Sequence, residues 1–457
     1  MGSAADDPRG SAIDPVSPPE AGSSPASAGA HTAADLGVAD GMTSLDLPAG
    51  ATYNDVAPEP GAYDALPAQT AEHATTGAAA PNVTPIPPPI PPVVDVDDLD
   101  WAAIRDRVDP ATVRARMRST VERLEVLLDE PSGPGLLFDG DRADPDDHAV
   151  HVKALDPETP LWIIGDLHGD LLALEAALEL VQRDSPAGAV PRVLFLGDFF
   201  DDGGYGLEVL LRVFELVIEA PASVCIVAGN HDEALQYTGA RFAATVIPFD
   251  FTDFLNAHLA HEWITRAGKV AVRLFATVPR ALFLPDGLLV THGGFPLADL
   301  HADLRATGDW NDPRCLSDFT WTRAHPRARR KMPNRSSRGS QFGHEDFAAF
   351  CALSTELGRP VTHMVRGHDH VDERYEIYPA YAEHPVLTTV ALSRRLDRES
   401  FGAFERVPTI ARWVPGALPQ VHRLHVPAPM VREIYAEGSA PAERPANDDE
   451  RTGEATA

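Results

Sequence analysis

The chain has 457 residues, enough for one large domain or two ordinary ones, and its formal net charge is −30. This charge excludes a global basic field of the kind that attracts nucleic acid, so nucleic acid is not an expected partner. We find no run of about 18 apolar residues to cross a membrane, and we expect no signal peptide because no basic patch precedes an apolar run near the start. The cysteines lack metal-ligand spacing and predict reduced, structural thiols in a cytoplasmic protein: Cys225, Cys315 and Cys351.

Both ends of the chain have the composition of disordered segments. Residues 1–104 contain one basic side chain, Arg9, among many Ala, Pro, Gly and acidic residues. Such a stretch cannot bury enough apolar area to offset the entropy of ordering. The predicted organisation is a disordered acidic Ala/Pro-rich segment (1–95), a helical extension packing on the core (96–150), a main domain (151–432) and a disordered tail (433–457).

The first predicted helix runs from about residue 110 to 129. Asp109 can cap it, and Pro110 fits its first turn. Apolar residues then recur at helical spacing: Val113, Met117, Val121, Leu124 and Leu128. The pattern gives one apolar face, with which we expect the helix to pack on the main domain.

From residue 150 onward, strands and helices alternate. LWIIG, RVLFLG and SVCIVAG read as buried strands, and helices are predicted over 171–181 and 207–218. Equivalent positions recur every 32 residues, at Asp166, Asp198 and Asn230. Because a βαβ unit needs about 30 residues, this pitch predicts a parallel sheet.

The second half of the chain is richer in strands. ALFLP (281–285) and LLVTH (288–292) flank an Asp286-Gly287 turn, which indicates a hairpin. VTHMVRG (361–367) and PVLTTVAL (385–392) add further strands. The predicted fold class is therefore α/β, with mixed sheets and helices outside.

Each of the first three strands ends in a polar cluster just before a helix. The clusters are GDLHGD (165–170), GDFFDDGG (197–204) and GNHD (229–232). In an open α/β sheet, the carboxyl ends of adjacent strands line one crevice, so these clusters should converge. THGG (291–294) and RGHDH (366–370) follow two later predicted strands and should reach the same crevice.

The converging side chains offer carboxylate, imidazole and amide ligands without thiolate. This set suits two divalent ions such as Mn, Fe or Zn, with Mn the expected ion in vitro. Two ions about 3.5–4 Å apart need a bridging carboxylate, and they lower the pKa of a bridging water and clamp phosphate oxygens. The first ion would take Asp166, His168 and Asp198, and the second would take Asp198, Asn230, His292 and His368.

Two residues beside the predicted metal ligands suit proton transfer. Asp201 can orient and charge-stabilise His231, which would then protonate a leaving alkoxide. Asp202 has no explanation from the sequence.

This order of motifs resembles the calcineurin-like metallophosphoesterase superfamily. Within it, the chain resembles a divergent member of the phosphoprotein phosphatase (serine/threonine phosphatase) family. That family's pattern of GDxHG, GDxVDRG, GNHE, HGG and RxH reads here GDLHG, GDFFDDG, GNHD, HGG and RGH. The likeness covers about 160–415 and includes ATVPRALFLPDGLLVTHGGFP (276–296) and SRGSQFGHEDFAAF (337–350).

The resemblance implies a central mixed β-sandwich flanked by helices on both sides, in four layers. It implies hydrolysis of phosphomonoesters at a dinuclear metal centre, usually on serine/threonine phosphoproteins. It also maps the family's phosphate-gripping arginine onto Arg338. A neighbouring branch of the superfamily cleaves diadenosine tetraphosphate.

Three positions depart from the family pattern. Asp202 replaces a second phosphate-binding arginine. ALSRRLD replaces the closing APNY segment. We hypothesise that Arg395 supplies the missing positive charge and pairs with Asp202 in the absence of substrate. The alternative is that Arg394 and Arg395 are solvated surface residues. His370 is an extra histidine that completes the first metal site in the wider superfamily, or else it lies outside the ligand set.

One segment of this acidic protein is strongly basic. RAHPRARRKMPNRSSR (323–338) has seven Arg or Lys residues in sixteen. It predicts an electropositive rim that admits phosphorylated or polyphosphate substrates, with a solvated loop as the alternative.

The leading hypothesis from the sequence is a metal-dependent phosphoesterase that acts on phosphoproteins or small phosphoesters. The second is a nucleotide or dinucleoside polyphosphate hydrolase, and an aromatic residue at the rim would support this hypothesis. The third, from another class, is a non-catalytic metal-binding pseudophosphatase that serves as a binding module.

Overall fold

The architecture comes from a computed structural model that describes residues 91, 93–95, 99–186, 188–329, 332–334, 338–396, 399 and 402–436. The predicted disorder over most of 1–95 and beyond 436 lies outside these residues. The helices are α1 (Trp101–Val108), α2 (Pro110–Asp129), α3 (Leu171–Arg183), α4 (Gly206–Glu219), α5 (Asn230–Ala234), α6 (Asp250–Ala257), α7 (Glu262–Thr277), α8 (His301–Thr307), α9 (Pro313–Trp321), α10 (His344–Glu356) and α11 (Ala428–Ala436).

Most strands belong to two six-stranded sheets. The strands are β1 (Val93–Asp95), β2 (Ala149–His151), β3 (Leu161–Ile164), β4 (Arg192–Phe195), β5 (Val224–Ile226), β6 (Gln236–Tyr237), β7 (Phe242–Ala243), β8 (Ala281–Phe283), β9 (Leu288–Thr291), β10 (Arg323–Ala324), β11 (Met332–Pro333), β12 (Ser340–Phe342), β13 (His363–Arg366), β14 (Tyr375–Ile377), β15 (Val386–Thr389), β16 (Thr409–Trp413) and β17 (Gln420–His425). One sheet has the order β1-β17-β16-β3-β4-β5, and the other has the order β14-β15-β13-β9-β8-β2.

The two sheets pack face to face because their strands alternate apolar side chains between two faces. Leu161 and Ile163 of β3 face the cluster between the sheets, where they meet residues such as Leu282 of β8 and Val290 of β9. Trp162 of β3 faces the other way, into the cluster shared with the helices around the first sheet. Helices α8 and α10 cover the outer face of the second sheet. The α/β fold class with a mixed sandwich between helices is therefore confirmed.

The predicted elements from 110 to 226 are present. Helix α2 runs over Pro110–Asp129, and the side chain of Asp109 accepts hydrogen bonds at its start from the backbone N–H groups of Ala111 and Thr112. Strands β3, β4 and β5 pair in parallel, as the 32-residue pitch predicted. In the later half, β8 and β9 form the predicted antiparallel hairpin, in which Asp286 has a φ of 62°.

Two ends of the ordered domain differ from the sequence expectation. Val93–Asp95 forms β1 and pairs in parallel with Arg423–His425 of β17, so three residues that we expected to be disordered extend the first sheet. At the other end, α11 continues to Ala436, and Ile434 and Tyr435 are buried. Both segments are short, and only their partners in the fold make them regular.

All three cysteines are free and buried, as the sequence predicted for structural thiols. No helix among the described residues has the length and apolar character needed to span a membrane.

Candidate metal centre

The polar clusters of the sequence lie at the carboxyl ends of the strands and come together between the two sheets. The loops after β3, β4 and β5 supply residues from the first sheet, and those after β9 and β13 supply residues from the second. Eight described residues other than glycine have a positive φ, and five of them lie in these loops: His168, Asp198, Asp201, Asp202 and His368. Such backbone strain concentrates at functional sites, where the surrounding fold holds it in place.

The first candidate ligand group contains Asp166, His168 and His370, whose donor atoms lie within 4.8 Å of one another. His168 Nε2 is 3.2 Å from His370 Nε2, and His370 Nε2 is 3.1 Å from Asp166 Oδ2. The structure therefore places His370 with the first group.

The second candidate group contains Asp198, His292 and His368. His292 Nε2 is 3.1 Å from His368 Nδ1 and 3.3 Å from Asp198 Oδ2. Asn230 joins this group, since its Oδ1 lies 3.0 Å from His292 Nε2. All seven residues predicted as metal ligands are thus brought together.

Asp198 lies between the two groups. Its Oδ2 is 3.6 Å from His168 Nε2 of the first group and 3.3 Å from His292 Nε2 of the second. Its Oδ1 accepts a hydrogen bond of 2.9 Å from the backbone N–H of His231. This is the position required of a carboxylate that serves two ions at once.

The donor set fits divalent cations. Two imidazole nitrogens 3.1 or 3.2 Å apart can share only one proton between them, so their lone pairs converge on a common point. In His168 and His292, Nδ1 lies at hydrogen-bond distance from the backbone carbonyls of Phe200 and Leu196, which leaves Nε2 as the free ligand atom. Although burial opposes it, the carboxylates of Asp198 and Asp166 raise the pKa of His292 to about 9, so the site stabilises positive charge.

Two glycines allow the close packing of this centre. A Cβ on Gly229 would lie 2.2 Å from Asp198 Oδ1, and a Cβ on Gly367 would lie 2.2 Å from Asp166 Oδ1. Glycine is therefore required at both positions if the carboxylates are to keep their place.

The predicted proton-transfer pair is present. His231 Nδ1 is 2.6 Å from Asp201 Oδ2, and both side chains are buried. Asp201 Oδ1 accepts a further hydrogen bond from the backbone N–H of Phe251, which fixes the carboxylate. His231 also belongs to a cluster with His168 and Asp198, so it lies directly beside the candidate ligands.

The carboxylate of Asp202 points into the protein. Its Oδ2 lies 4.0 Å from His168 Nδ1, and only 6% of the side chain is exposed. The backbone N–H of Asp202 donates to Asp250 Oδ1 at 2.9 Å, which holds the loop against α6. The repulsion of substrate expected for an aspartate here is reduced, because the charge turns toward an imidazole.

Arg338 is exposed, and it lies at the edge of the centre beside α5. Its Nη1 is 3.4 Å from Glu233 Oε1, and its guanidinium carbon is 5.4 Å from the centre of the Trp321 ring. Glu233 directly follows Asp232 in the helix that carries Asn230 and His231. Glu233 was not predicted as a site residue, although its place in the GNHDE stretch was a signal.

The hypothesis for Arg395 needs correction. Arg395 Nη1 donates to the backbone carbonyl of Gly402 at 3.2 Å, and its backbone N–H donates to Phe404, so the described contacts do not pair it with Asp202. The neighbouring Arg394 contacts the loop instead, with Nη2 3.1 Å from the Asp202 carbonyl oxygen. Consecutive residues at a strand end point in different directions, and the sequence could not decide between them.

The basic segment begins at the centre itself. Arg323 Nη1 donates to the carbonyl of His368 at 2.8 Å and to Asp369 Oδ1 at 3.0 Å. Further along, Arg329 pairs with Glu345. Residues 330, 331 and 335–337 of the segment lie outside the described residues.

Comparison with known proteins places this geometry in context. Residues 159–372 match the family model described as calcineurin-like phosphoesterase. A serine/threonine-protein phosphatase 5 of Solanum lycopersicum is 26% identical over 223 residues, which cover 47% of this chain and 36% of the relative. A serine/threonine-protein phosphatase 6 catalytic subunit of Drosophila melanogaster is 26% identical over 230 residues, covering 49% and 67%.

A solved serine/threonine phosphatase from Saccharomyces cerevisiae, described as similar to human PP5, aligns at 17% identity with a TM-score of 0.46. That alignment covers 70% of this chain and 90% of the yeast chain. The chain thus spans about a third of the length of the tomato relative and about two thirds of the length of the fly relative.

Proposed function

Because residues 159–372 form a calcineurin-like phosphoesterase domain, the domain of a phosphoester hydrolase, we propose that the protein hydrolyses phosphomonoesters on phosphoserine and phosphothreonine in proteins. The observation that carries this proposal is the Asp198 carboxylate between two imidazole-rich ligand groups, next to the His231–Asp201 pair. The names of the curated relatives support the choice of phosphoprotein substrates.

In this proposal each ligand group would hold one ion. Asp166, His168 and His370 would hold one ion, Asn230, His292 and His368 the other, and Asp198 would contact both. When bound, a pair of divalent ions supplies an activated water and neutralises charge on the phosphoryl oxygens.

The protein's own residues supply the proton and the orientation. Asp201 keeps the Nδ1 proton of His231 in place, so Nε2 is the nitrogen that can donate a proton to the leaving alkoxide. Arg338 at the rim has guanidinium donors for the phosphate and is 55% exposed, so it can turn from Glu233 to a substrate.

A loop at the rim supports a peptide substrate. The backbone N–H groups of Asp202 and Phe251 bind Asp250 and Asp201, which ties the start of α6 to the proton-transfer pair. Just before this helix, Ile247 is 76% exposed and Phe249 is 41% exposed. Apolar side chains at this place suit residues that flank a phosphorylated one.

The same loop also favours a second candidate function, a nucleotide or dinucleoside polyphosphate hydrolase. Phe249 is an exposed aromatic residue on which a base could stack, a contact worth about 1–3 kcal/mol. Replacing Phe249 with Ala separates the two functions. A dinucleotide hydrolase would lose affinity for its substrate by about five- to 150-fold relative to p-nitrophenyl phosphate, whereas a protein phosphatase would keep the same preference.

The direct test is hydrolysis of p-nitrophenyl phosphate by metal-stripped protein with and without added Mn²⁺. Asp198→Asn is the test variant, and Asp129→Asn is the matched control, since Asp129 is an exposed aspartate at the end of α2. We expect turnover that requires the metal, disappears in Asp198→Asn and persists in Asp129→Asn. Phosphopeptides and diadenosine tetraphosphate then rank the two substrate classes. Protein that binds two ions and turns over none of these substrates would contradict the proposal and favour the pseudophosphatase.

A further inference from the structure

Three arginine side chains are buried in the part of the chain that the structure describes: Arg366, Arg374 and Arg394. Arg366 forms an ion pair with Asp369 at 2.5 Å, and Arg374 binds both carboxylate oxygens of Glu399. Arg394 makes no ion pair with a described carboxylate. A buried cation is costly unless an anion is paired with it, so a buried arginine with no described carboxylate partner is a candidate for binding an anionic ligand.

The contacts of Arg394 leave part of its hydrogen-bonding capacity unused. Nη2 donates to the carbonyl of Asp202, and the guanidinium carbon lies 5.1 Å from the centre of the Tyr435 ring. Its Nε is buried and has no hydrogen-bond partner among the described residues. The side chain is only 7% exposed, so bulk water does little to solvate this charge.

The neighbouring carboxylate of Asp170 is already occupied. Ser393 donates to Asp170 Oδ2 from both its backbone N–H and its hydroxyl at 2.7 Å. Asp170 Oδ1 binds the Tyr435 hydroxyl and accepts from the backbone N–H of Ala173. Asp170 therefore fixes the strand end that presents Arg394 and is not its ion-pair partner.

Arg394 lies against the metal centre. A Cβ on Gly203 would be 2.6 Å from Arg394 Nη2 and 2.0 Å from the carbonyl oxygen of His168, so the guanidinium fits beside a candidate metal ligand only because residue 203 is glycine. The segment between β15 and Arg394 contacts the loop after β3, since the backbone N–H of Ala391 donates to the carbonyl of Asp166. The guanidinium thus lies against the backbone of the loops that carry His168 and Asp202.

We infer that Arg394 binds the phosphoryl group of the substrate and supplies the positive charge that Asp202 does not. This inference rests on the proposed phosphoesterase function and specifies its binding site. A phosphate dianion offers several acceptor oxygens, which matches the planar donors of a guanidinium that is held in a fixed position. Asp202 contributes through its backbone carbonyl, which holds the guanidinium, while its carboxylate faces His168.

The test compares Arg394→Ala, Arg394→Lys and Arg395→Ala in the full chain loaded with Mn²⁺. The measured quantities are the inhibition constant of inorganic phosphate and the KM and kcat for p-nitrophenyl phosphate. Arg412→Ala is the matched control, because Arg412 also lies over an aromatic ring, that of Trp162, but at the far end of β3. Melting temperature and metal content of each variant show whether the fold and the ligands persist.

We expect Arg394→Ala to weaken phosphate inhibition by about ten- to a hundredfold, the range for a lost hydrogen bond to a charged group. Arg394→Lys should recover part of this loss, because it keeps the charge without the planar donors. Arg395→Ala and Arg412→Ala should change the inhibition constant by less than twofold. If Arg394→Ala does not fold, Arg394→Lys decides the question through its own loss of phosphate affinity.

The inference is overturned if the folded Arg394 variants bind phosphate as the wild type does, or if Arg395→Ala gives the large effect. These results would leave the phosphoesterase function intact, since the wild type would still be active. A wild-type protein that neither hydrolyses p-nitrophenyl phosphate nor binds phosphate would refute the function and the inference together.

Discussion

The imidazole of His231 has one nitrogen committed to Asp201, and this determines what the other nitrogen can do. A carboxylate 2.6 Å from Nδ1 keeps a proton there and stabilises the imidazolium form. Burial of both groups strengthens the interaction, because water does not compete for it. Nε2 is thereby the only ring nitrogen that can serve a substrate.

Replacing Asp201 with Asn should lower kcat for p-nitrophenyl phosphate by about 10²–10⁴, because a neutral amide cannot stabilise the imidazolium. Asp201 is not among the candidate ligands, so bound metal measured by mass spectrometry should stay at the wild-type level. His231→Asn is the second single variant. The double variant should lose no more kcat than the more impaired of the two single variants, since the two residues act as a unit. Wild-type kcat in Asp201→Asn with intact metal would contradict this role.

At the scale of residues, the sequence predicted the ligands better than the groups around them. His292 and Asn230 follow strands whose apolar pattern is clear, so strand ends and ligands were found together. Arg374 and Glu399 were missed, because they lie 25 residues apart, on either side of β14 and β15, and no motif contains them. The difference between Arg394 and Arg395 depends on the direction of single side chains, which periodicity does not determine at a strand end.

At the scale of elements, α4 carries a partly buried carboxyl group, and burial disfavours the charged form of that group. Glu208 lies in the first turn of α4, and burial raises its pKa from an ordinary value of 4.5 to about 7. The folded protein therefore binds a proton that the unfolded chain has already released between these two pH values. The stability due to this proton is fully present below pH 4.5 and is lost as the pH rises through about 7.

Glu208→Gln should consequently be more stable than the wild type at pH 8, by on the order of 2–3 kcal/mol, and close to it at pH 4.5. Urea unfolding at both pH values measures this difference. Glu219→Gln is the matched control, because Glu219 is exposed at the end of the same helix and should give a difference near zero. An equal effect of Glu208→Gln at both pH values would show that the carboxyl group is not responsible.

A helix or strand was predictable from the sequence where its own residues carry the signals for it. It was not predictable where it forms only because a distant part of the chain pairs or packs with it. Helix α2 has a cap, a proline and an apolar face, so its bounds could be predicted. Strand β1 has three residues and exists because β17 pairs with it. Helix α11 was not predicted, and the main domain was expected to end at 432, whereas the helix continues to Ala436 with Ile434 and Tyr435 buried.

At the scale of the whole molecule, the centre joins the two sheets of the sandwich. Asp166, His168, Asp198 and Asn230 follow strands of one sheet, and His292, His368 and His370 follow strands of the other. Ions held here would cross-link the halves of the fold in the native state only. In the second sheet the hairpin of β8 and β9 was predictable, but the positions of β2 and β13 were not, because whole helices and strands separate each of them in sequence from its partner.

Removal of metal by a chelator should therefore lower the melting temperature as well as abolish activity. Ions at about a hundred times their dissociation constant stabilise a protein by about 2.7 kcal/mol, which corresponds to about 5–10 °C for a domain of this size. Calorimetry with and without chelator, followed by addition of Mn²⁺, measures the shift and its reversal. The Asp198→Asn protein should show a smaller shift, and a shift as large as that of the wild type would place the stabilising ions elsewhere.

The carboxylate of Asp198 belongs to both ligand groups, so the occupancy of one group alters the affinity of the other. Its two oxygens carry one charge, and a cation bound on the side of His168 draws on the same charge that attracts a cation on the side of His292. By thermodynamic linkage, the factor by which the first ion changes the affinity for the second equals the factor for the reverse order of binding. Titration of the metal-stripped protein with metal would therefore give two stepwise binding constants that depend on each other. The fraction of molecules with both ions bound would then change with free metal concentration more steeply or more gradually than it would for two independent sites.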